Sequence, residues 1–248
     1  RSLDELADMG AIEPGVASFL RACMRARASV VFAGAPGAGK TTLLSCCLAE
    51  LDPSLRVVVA EEVFEADIAL PNVAQMQTRP ARADRPEVDL RRLVAGFLRM
   101  APDVAVVGEV RDREALPLLL ALSSGVTGYT TIHASSAPQA LSRLRFLSQL
   151  SEAGGHLPFS ALSSLVSDAI DVVVHTARTR DGVRATSVVA VEDLVSGPDS
   201  PRFTVTEVFA PGVPGGPMRW TGELPERLER RFAEQGIAMR PLLAGGDR

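Results

Sequence analysis

Ser29-Val30-Val31-Phe32-Ala33-Gly34-Ala35-Pro36-Gly37-Ala38-Gly39-Lys40-Thr41-Thr42 is the stretch on which the reading of the whole chain turns. Its opening run is apolar and β-branched, the composition of a buried strand. Gly34, Gly37 and Gly39 then let the backbone curl. From Thr41 to about Leu51 the pattern predicts a helix, which Asp52-Pro53 breaks. Strand, glycine loop and helix in that order satisfy G-x-x-x-x-G-K-[ST], the P-loop pattern. The curl turns successive N–H groups and the helix N-terminus toward one point, where a polyphosphate is the natural ligand. Gly34, Ala35, Pro36, Gly37, Ala38, Gly39, Lys40, Thr41 and Thr42 are therefore the candidate nucleotide-binding residues. Lys40 is expected to reach the β- and γ-phosphates and Thr41 to ligate Mg2+. Lys40 is the only lysine in a chain that otherwise uses arginine, so a compact ammonium is kept where a phosphate needs a point charge.

Outward from this stretch the pattern alternates. Helices are predicted over Leu3 to Met9 and Val16 to Ala26, and Arg56 to Ala60 reads as a second buried strand. A short strand follows near Val73 to Thr78, then a helix from Leu90 to Met100, the strand Val104 to Val107, and a helix from about Arg113 to Leu122 that Pro117 either kinks or starts. A strand at Tyr129 to Ile132 precedes helices at Pro138 to Leu150 and Phe159 to Ser167. A hairpin then runs from Asp171 to Thr176, through Asp181-Gly182, to Arg184 to Val191. After a strand at Thr204 to Phe209, the proline- and glycine-rich Pro211 to Pro217 leads to a last amphipathic helix at about Pro225 to Glu234, whose apolar face is suited to packing on the core. The fold class expected is α/β: a mainly parallel sheet flanked by helices, with a C-terminal β-hairpin extension.

Hydrolysis at such a loop needs a carboxylate that orients or deprotonates water, usually at the end of a neighbouring strand. Glu109, directly after Val104-Ala105-Val106-Val107-Gly108, is the candidate general base. Gly108 stands where many P-loop enzymes carry an aspartate for the Mg2+ shell, so that task passes to Glu61 or Glu62, with Glu65 close by. Arg111 and Arg79 are candidates to stabilise charge on the transferring phosphoryl group. His133, at the end of the strand Tyr129 to Ile132, is placed to sense the γ-phosphate. No Cys and His spacing suits zinc, and no serine lies in a nucleophile elbow.

Composition bounds these readings. At 248 residues, 46% hydrophobic and 23% charged, the chain can bury a sizeable core. A formal charge of −4 offers no basic surface for a nucleic-acid backbone, so no direct nucleic-acid partner is expected. No apolar run approaches the roughly 20 residues that span a bilayer. Cys23, Cys46 and Cys47 read as buried reduced thiols. The chain opens on Arg1 and moves straight into the capping box Ser2-Leu3-Asp4-Glu5, so it is expected to be a piece of something longer.

Four segments in one order resemble the type II and type IV secretion ATPases. Gly34 to Thr42 looks like their Walker A loop, Val59-Ala60-Glu61-Glu62-Val63-Phe64-Glu65 like their Asp box, Val104 to Arg111 like their Walker B, and Gly125 to Ala134 like their His box. Gln77-Thr78-Arg79-Pro80, Leu98 to Asp103 and Thr131 to Ala134 are most similar to the CpaF-like branch, which serves tight-adherence pilus assembly. The resemblance implies a RecA-like P-loop NTPase working as a homo-oligomeric ring, usually a hexamer, on the cytoplasmic face of an inner-membrane platform protein. It implies ATP and Mg2+ as cofactors, Glu109 as general base, Glu61 organising Mg2+ and water, and His133 linking nucleotide state to domain movement. It also implies linker helices over 1–27, the ATPase domain over 28–210, and a linker and C-terminal helix over 211–248, with the family's N-terminal domain missing. Val126 replaces the first His-box histidine, and Val59 and Glu62 replace the usual Asp-box threonine and aspartate. A DNA transfer or uptake motor and a non-hydrolysing nucleotide-binding scaffold are the rival readings. The absence of an N-K-x-D motif argues against a GTPase.

Overall fold

A computed structural model describes residues 1–193, 202–213 and 215–245. In chain order its elements are α1 (Leu3–Asp8), α2 (Pro14–Arg25), β1 (Val30–Gly34), α3 (Lys40–Leu48), β2 (Val57–Glu61), β3 (Val73–Gln77), α4 (Leu90–Ala95), β4 (Val104–Val110), α5 (Ala115–Ser123) and β5 (Thr127–Ile132). Then come α6 (Ala137–Gln149), α7 (Glu152–Gly155), α8 (Phe159–Ala169), β6 (Val172–Thr179), β7 (Gly182–Val191), β8 (Val205–Pro211), β9 (Met218–Trp220), α9 (Glu226–Glu234) and α10 (Met239–Gly245).

The strands form one nine-stranded sheet in the order β3-β2-β4-β5-β1-β6-β7-β8-β9. From β3 to β6 all neighbours are parallel, and from β6 to β9 all are antiparallel. The sheet is therefore mixed, and the expected hairpin at 171–191 continues through β8 into β9. Alternation of side chains sends Val30 and Phe32 of β1 into one apolar layer with α1, α2, α3, α9 and α10, and Val31 and Ala33 into the other with α4, α5, α6 and α8. Residues 57–60 of β2 are fully buried on both faces, which is why that strand reads as a continuous apolar run.

Several predicted boundaries move for local reasons. The helix expected from Leu90 to Met100 stops at Ala95, and Phe97–Met100 continues as a 3-10 turn beyond Gly96. Pro117 does not kink α5; it lies in the first turn, where its missing N–H has no intrahelical partner to lose. β9 and α10 were not expected, and within the stretch Pro211 to Pro217 the residue Pro214 lies outside the described residues, as do 246–248.

Both ends of the chain pack on the same apolar layer. Phe19 of α2 meets Phe209 of β8 with ring centroids 5.6 Å apart and Phe232 of α9 at 6.0 Å. As its amphipathic pattern implies, α9 buries Leu228 and Phe232. Arg227 of α9 pairs at 3.0 Å with Asp171, whose other oxygen accepts from the Ser29 N–H at 2.8 Å. Arg231 of the same helix reaches the oxygen paired with Arg227 at 3.4 Å. Asp171 is 3% exposed, so removing both arginines leaves a buried charge and costs about 3–5 kcal/mol. Cys23, Cys46 and Cys47 are buried free thiols, and burial pushes the Cys23 and Cys47 thiols up, away from reactivity.

Candidate functional site

Parallel strands bring their carboxyl ends to one edge of the sheet, and ligands of open α/β sheets sit outside that edge. β1 ends in the glycine loop, β2 in Glu61, β4 in Gly108-Glu109-Val110, and β5 in Ile132 followed by His133. Residues separated by as many as 99 positions thus converge, as in the contact of the His133 Nδ1 with the Gly34 carbonyl at 3.2 Å.

The loop itself rests on the hairpin of β6 and β7. A side chain at Gly34, where φ is +155°, would come within 2.3 Å of the Thr176 carbonyl, and one at Gly39, where φ is +79°, within 2.7 Å of Val183. Those glycines are required by close approach as well as by backbone conformation. Lys40 opens α3 and is 7% exposed; its ammonium donates to the Ala35 carbonyl at 3.0 Å and lies 3.3 Å from the His133 Nδ1. Burial holds the Lys40 ammonium below the usual lysine range, with Glu109 opposing the shift.

Glu109 is aimed by a bulge. Val107 pairs with Thr130 and Val110 with Ile132, so Gly108 and Glu109 together face only Thr131. The Thr130 and Thr131 hydroxyls fix the bulge by donating to the Val107 and Gly108 carbonyls, each at 2.7 Å. One Glu109 oxygen accepts from Arg111 at 2.6 Å, which raises the guanidinium further above its ordinary value. The other lies 2.6 Å from the His133 Nε2, without the alignment of a hydrogen bond. Arg111 also reaches Glu62 at 3.1 Å.

Glu61 is 2% exposed, and its Oε1 accepts from the Glu65 and Ala66 N–H groups at 3.2 and 3.0 Å. This carboxylate shapes the turn after β2. Its Oε2 is buried and has no hydrogen-bond partner among the described residues. A Cβ at Gly108 would stand 2.8 Å from the Glu61 Cγ, so the glycine leaves the room that Glu61 fills. A small polar cavity of about 90 Å³ lies between Glu61, Glu62, Glu65, Gly108, Glu109 and Arg111. Thr41 Oγ1 is 3.5 Å from a Glu65 oxygen at its border. Among the described residues no group of three acidic, His or Cys side chains could hold a metal ion unaided. The donor set, a hydroxyl and carboxylates with one unsatisfied buried oxygen, instead suits Mg2+ brought in on phosphates.

Of the residues singled out in the sequence, Lys40, Thr41, Glu61, Glu62, Glu109, Arg111 and His133 gather here. Arg79 does not: it lies exposed beyond the edge strand β3, where its backbone pairs with Val88. Thr130, Thr131 and the contacts of the hairpin were not anticipated, because only the pairing of β4, β5 and β6 reveals them.

Fold and site together define an α/β protein with a glycine loop and a convergent cluster of acids at the carboxyl edge of its sheet. The chain belongs to the family described as type II/IV secretion system protein, which matches residues 1–190. It is 37% identical over 193 residues to the putative conjugal transfer protein Rv3659c of Mycobacterium tuberculosis, a match covering 77% of this chain and 54% of that one. To the conjugal transfer protein TrbB of Rhizobium radiobacter it is 34% identical over 194 residues, covering 77% of this chain and 56% of that one. The chain thus spans about half the length of these curated relatives. Among solved structures it is similar to the VirB11 ATPase of the Brucella suis type IV secretion system in complex with sulphate, with a TM-score of 0.65 and 28% identity over 75% of this chain and 54% of that one. Among the described residues no helix is long and apolar enough to cross a membrane.

Proposed function

We propose that the chain is the ATP-hydrolysing motor domain of a secretion or pilus-assembly ATPase, built on a RecA-like P-loop. The observation that carries this reading is the convergence of Lys40 and Glu109 on His133, whose ring lies 3.3 Å from the Lys40 ammonium and 2.6 Å from a Glu109 oxygen, at the mouth of the glycine loop. The loop N–H groups and Lys40 hold the β- and γ-phosphates. Thr41, with Glu61 or Glu65, would hold Mg2+, which would neutralise phosphate charge. The crowding of Glu61, Glu62, Glu65 and Glu109 about a cavity whose one lining cation among the described residues is Arg111 supports a divalent ion accompanying the phosphates. The apolar cleft beside Gly39 and Thr42, about 230 Å³ and lined by Leu6, Met9, Ile12 and Val183, takes the base.

Glu109 accepts the proton of the attacking water. One of its oxygens accepts from Arg111 and the other lies against the His133 ring. Were Lys40 to turn to phosphate, the His133 Nδ1 would keep the Gly34 carbonyl as its contact, and the ring would pass the change to Glu109. Arg111, held beside the cavity by Glu109 and Glu62, is the cation placed to meet charge on the transferring phosphoryl group.

The full-length protein is read as a homo-hexameric ring at the cytoplasmic face of an inner-membrane platform protein, in the CpaF-like, tight-adherence branch. Steady-state ATP hydrolysis, with particle size followed in parallel, tests the motor. Glu109→Gln should bind ATP and lose about 10²- to 10⁴-fold in turnover; turnover that persists in this variant removes Glu109 as the general base, and nucleotide binding without hydrolysis by the unaltered protein points to a scaffold. Two relatives named as conjugal transfer proteins favour DNA transfer as the second reading. A rate stimulated by DNA and falling steeply with salt supports it.

A further inference from the structure

The hairpin of β6 and β7 meets the glycine loop at three points, and one of them is chemically unlike the others. Thr176 and Val183 crowd Gly34 and Gly39 sterically. Between them, Arg178 donates from its guanidinium to the Gly37 carbonyl at 3.2 Å. The register explains the grouping: Arg178 pairs with Val183 and Thr176 with Ala185, and residues paired across strands point to one face. Positions 176 and 178 alternate onto that same face. The hairpin therefore presents a steric contact, a cation and a second steric contact along successive turns of the loop. Among the described residues no carboxylate pairs with Arg178. Its charge is directed at the loop alone.

A hydrogen bond from a cation to a peptide carbonyl polarises that peptide, and the effect passes to the N–H on its other side. Here the peptide joins Gly37, where φ is +69°, to Ala38, whose N–H closes the turn of the loop by donating to the Ala35 carbonyl at 3.2 Å. We infer that Arg178 is a positioning residue for the glycine loop. It holds the Gly37 carbonyl outward and strengthens the Ala38 N–H as a donor to the Ala35 carbonyl, which keeps the loop curled for phosphate. Arg178 touches the loop and not the nucleotide. This inference rests on the nucleotide-binding reading above.

The test is calorimetric titration of the purified chain with Mg-ADP, a non-hydrolysable Mg-ATP analogue and adenosine, comparing wild type, Arg178→Ala and Arg178→Lys. Arg178→Ala should weaken both nucleotides by the same factor, about fivefold, the size expected for one exposed charge-assisted hydrogen bond, and leave adenosine unaffected. Arg178→Lys should recover part of the loss, because an ammonium can still donate to the carbonyl. In steady state KM should rise by the same factor while kcat at saturation changes less than twofold. Equal affinity of wild type and Arg178→Ala for Mg-ADP overturns the inference, since the contact then contributes nothing to the loop. A loss confined to the triphosphate analogue also overturns it, because Arg178 would then touch the γ-phosphate directly. If wild type binds neither nucleotide, the nucleotide-binding reading itself falls, and this inference with it.

Discussion

The His133 imidazole stands between two groups of opposite charge: its Nε2 is 2.6 Å from a Glu109 oxygen and its Nδ1 is 3.3 Å from the Lys40 ammonium. These are the carboxylate and the lysine on which hydrolysis is proposed to depend, and the strand that separates them in the sheet order, β5, supplies the histidine that joins them. The ring therefore responds to whichever of the two moves.

Replacing the ring tests that link. His133→Ala should leave Mg-ADP affinity within about threefold, because Lys40 keeps its contact with Ala35, and should lower kcat by about 10- to 100-fold. Single-turnover hydrolysis beside nucleotide titration separates the two effects. A variant that loses affinity and keeps kcat would make His133 a binding group only.

Gly108 has a steric reason to be glycine. A methyl there would press on Glu61, which is buried and holds the turn after β2 through two N–H bonds. Gly108→Ala should lower stability by about 1–3 kcal/mol, the usual cost of overpacking. In a Glu61→Asp background, with a shorter side chain, the penalty should shrink. Urea denaturation of the four proteins checks this, and additive losses would mean that Gly108 and Glu61 do not meet.

The imidazole of His175 is held below its ordinary value of about 6.5, chiefly by burial. Its unfolded form therefore binds a proton at a pH where the folded form does not. The sign follows: the contribution of this group is complete above pH 6.5 and is lost as pH falls from there toward the folded value. Wild type should lose stability between pH 7.5 and 5.5, and His175→Gln should lose less. Urea midpoints at the two pH values are the measurement; equal losses would remove His175 as the cause.

How much of this was readable in advance depends on distance along the chain. The glycine loop was legible because its determinants, from Val30 to Thr42, are consecutive, and each favours the same strand, turn and helix. Glu109 and Glu61 were legible because each follows a buried apolar strand whose end must reach the sheet edge. The engagement of Arg178 with Gly37 was not, because 141 positions separate them and only the register of β1 with β6 brings them together. β9 escaped notice since Met218–Trp220 is too short to carry a periodic signal and follows a run of glycine and proline. Arg79 lies at the exposed margin beyond β3, apart from the cluster, a placement that its local motif does not carry.

The contact of the Phe19 ring with Phe209 and Phe232 has a practical side. A shortened version of the chain ending soon after β8 would keep every residue of the glycine loop and the acidic cluster. It would also strip α9 from the sheet, bare the ring of Phe19 and leave Asp171 without Arg227. Such a version should first fail by clumping in the expression host, and a missing rate in the assay would then say nothing about the chemistry. Anyone trimming this domain for crystals or microscopy should treat the last helices as part of its foundation.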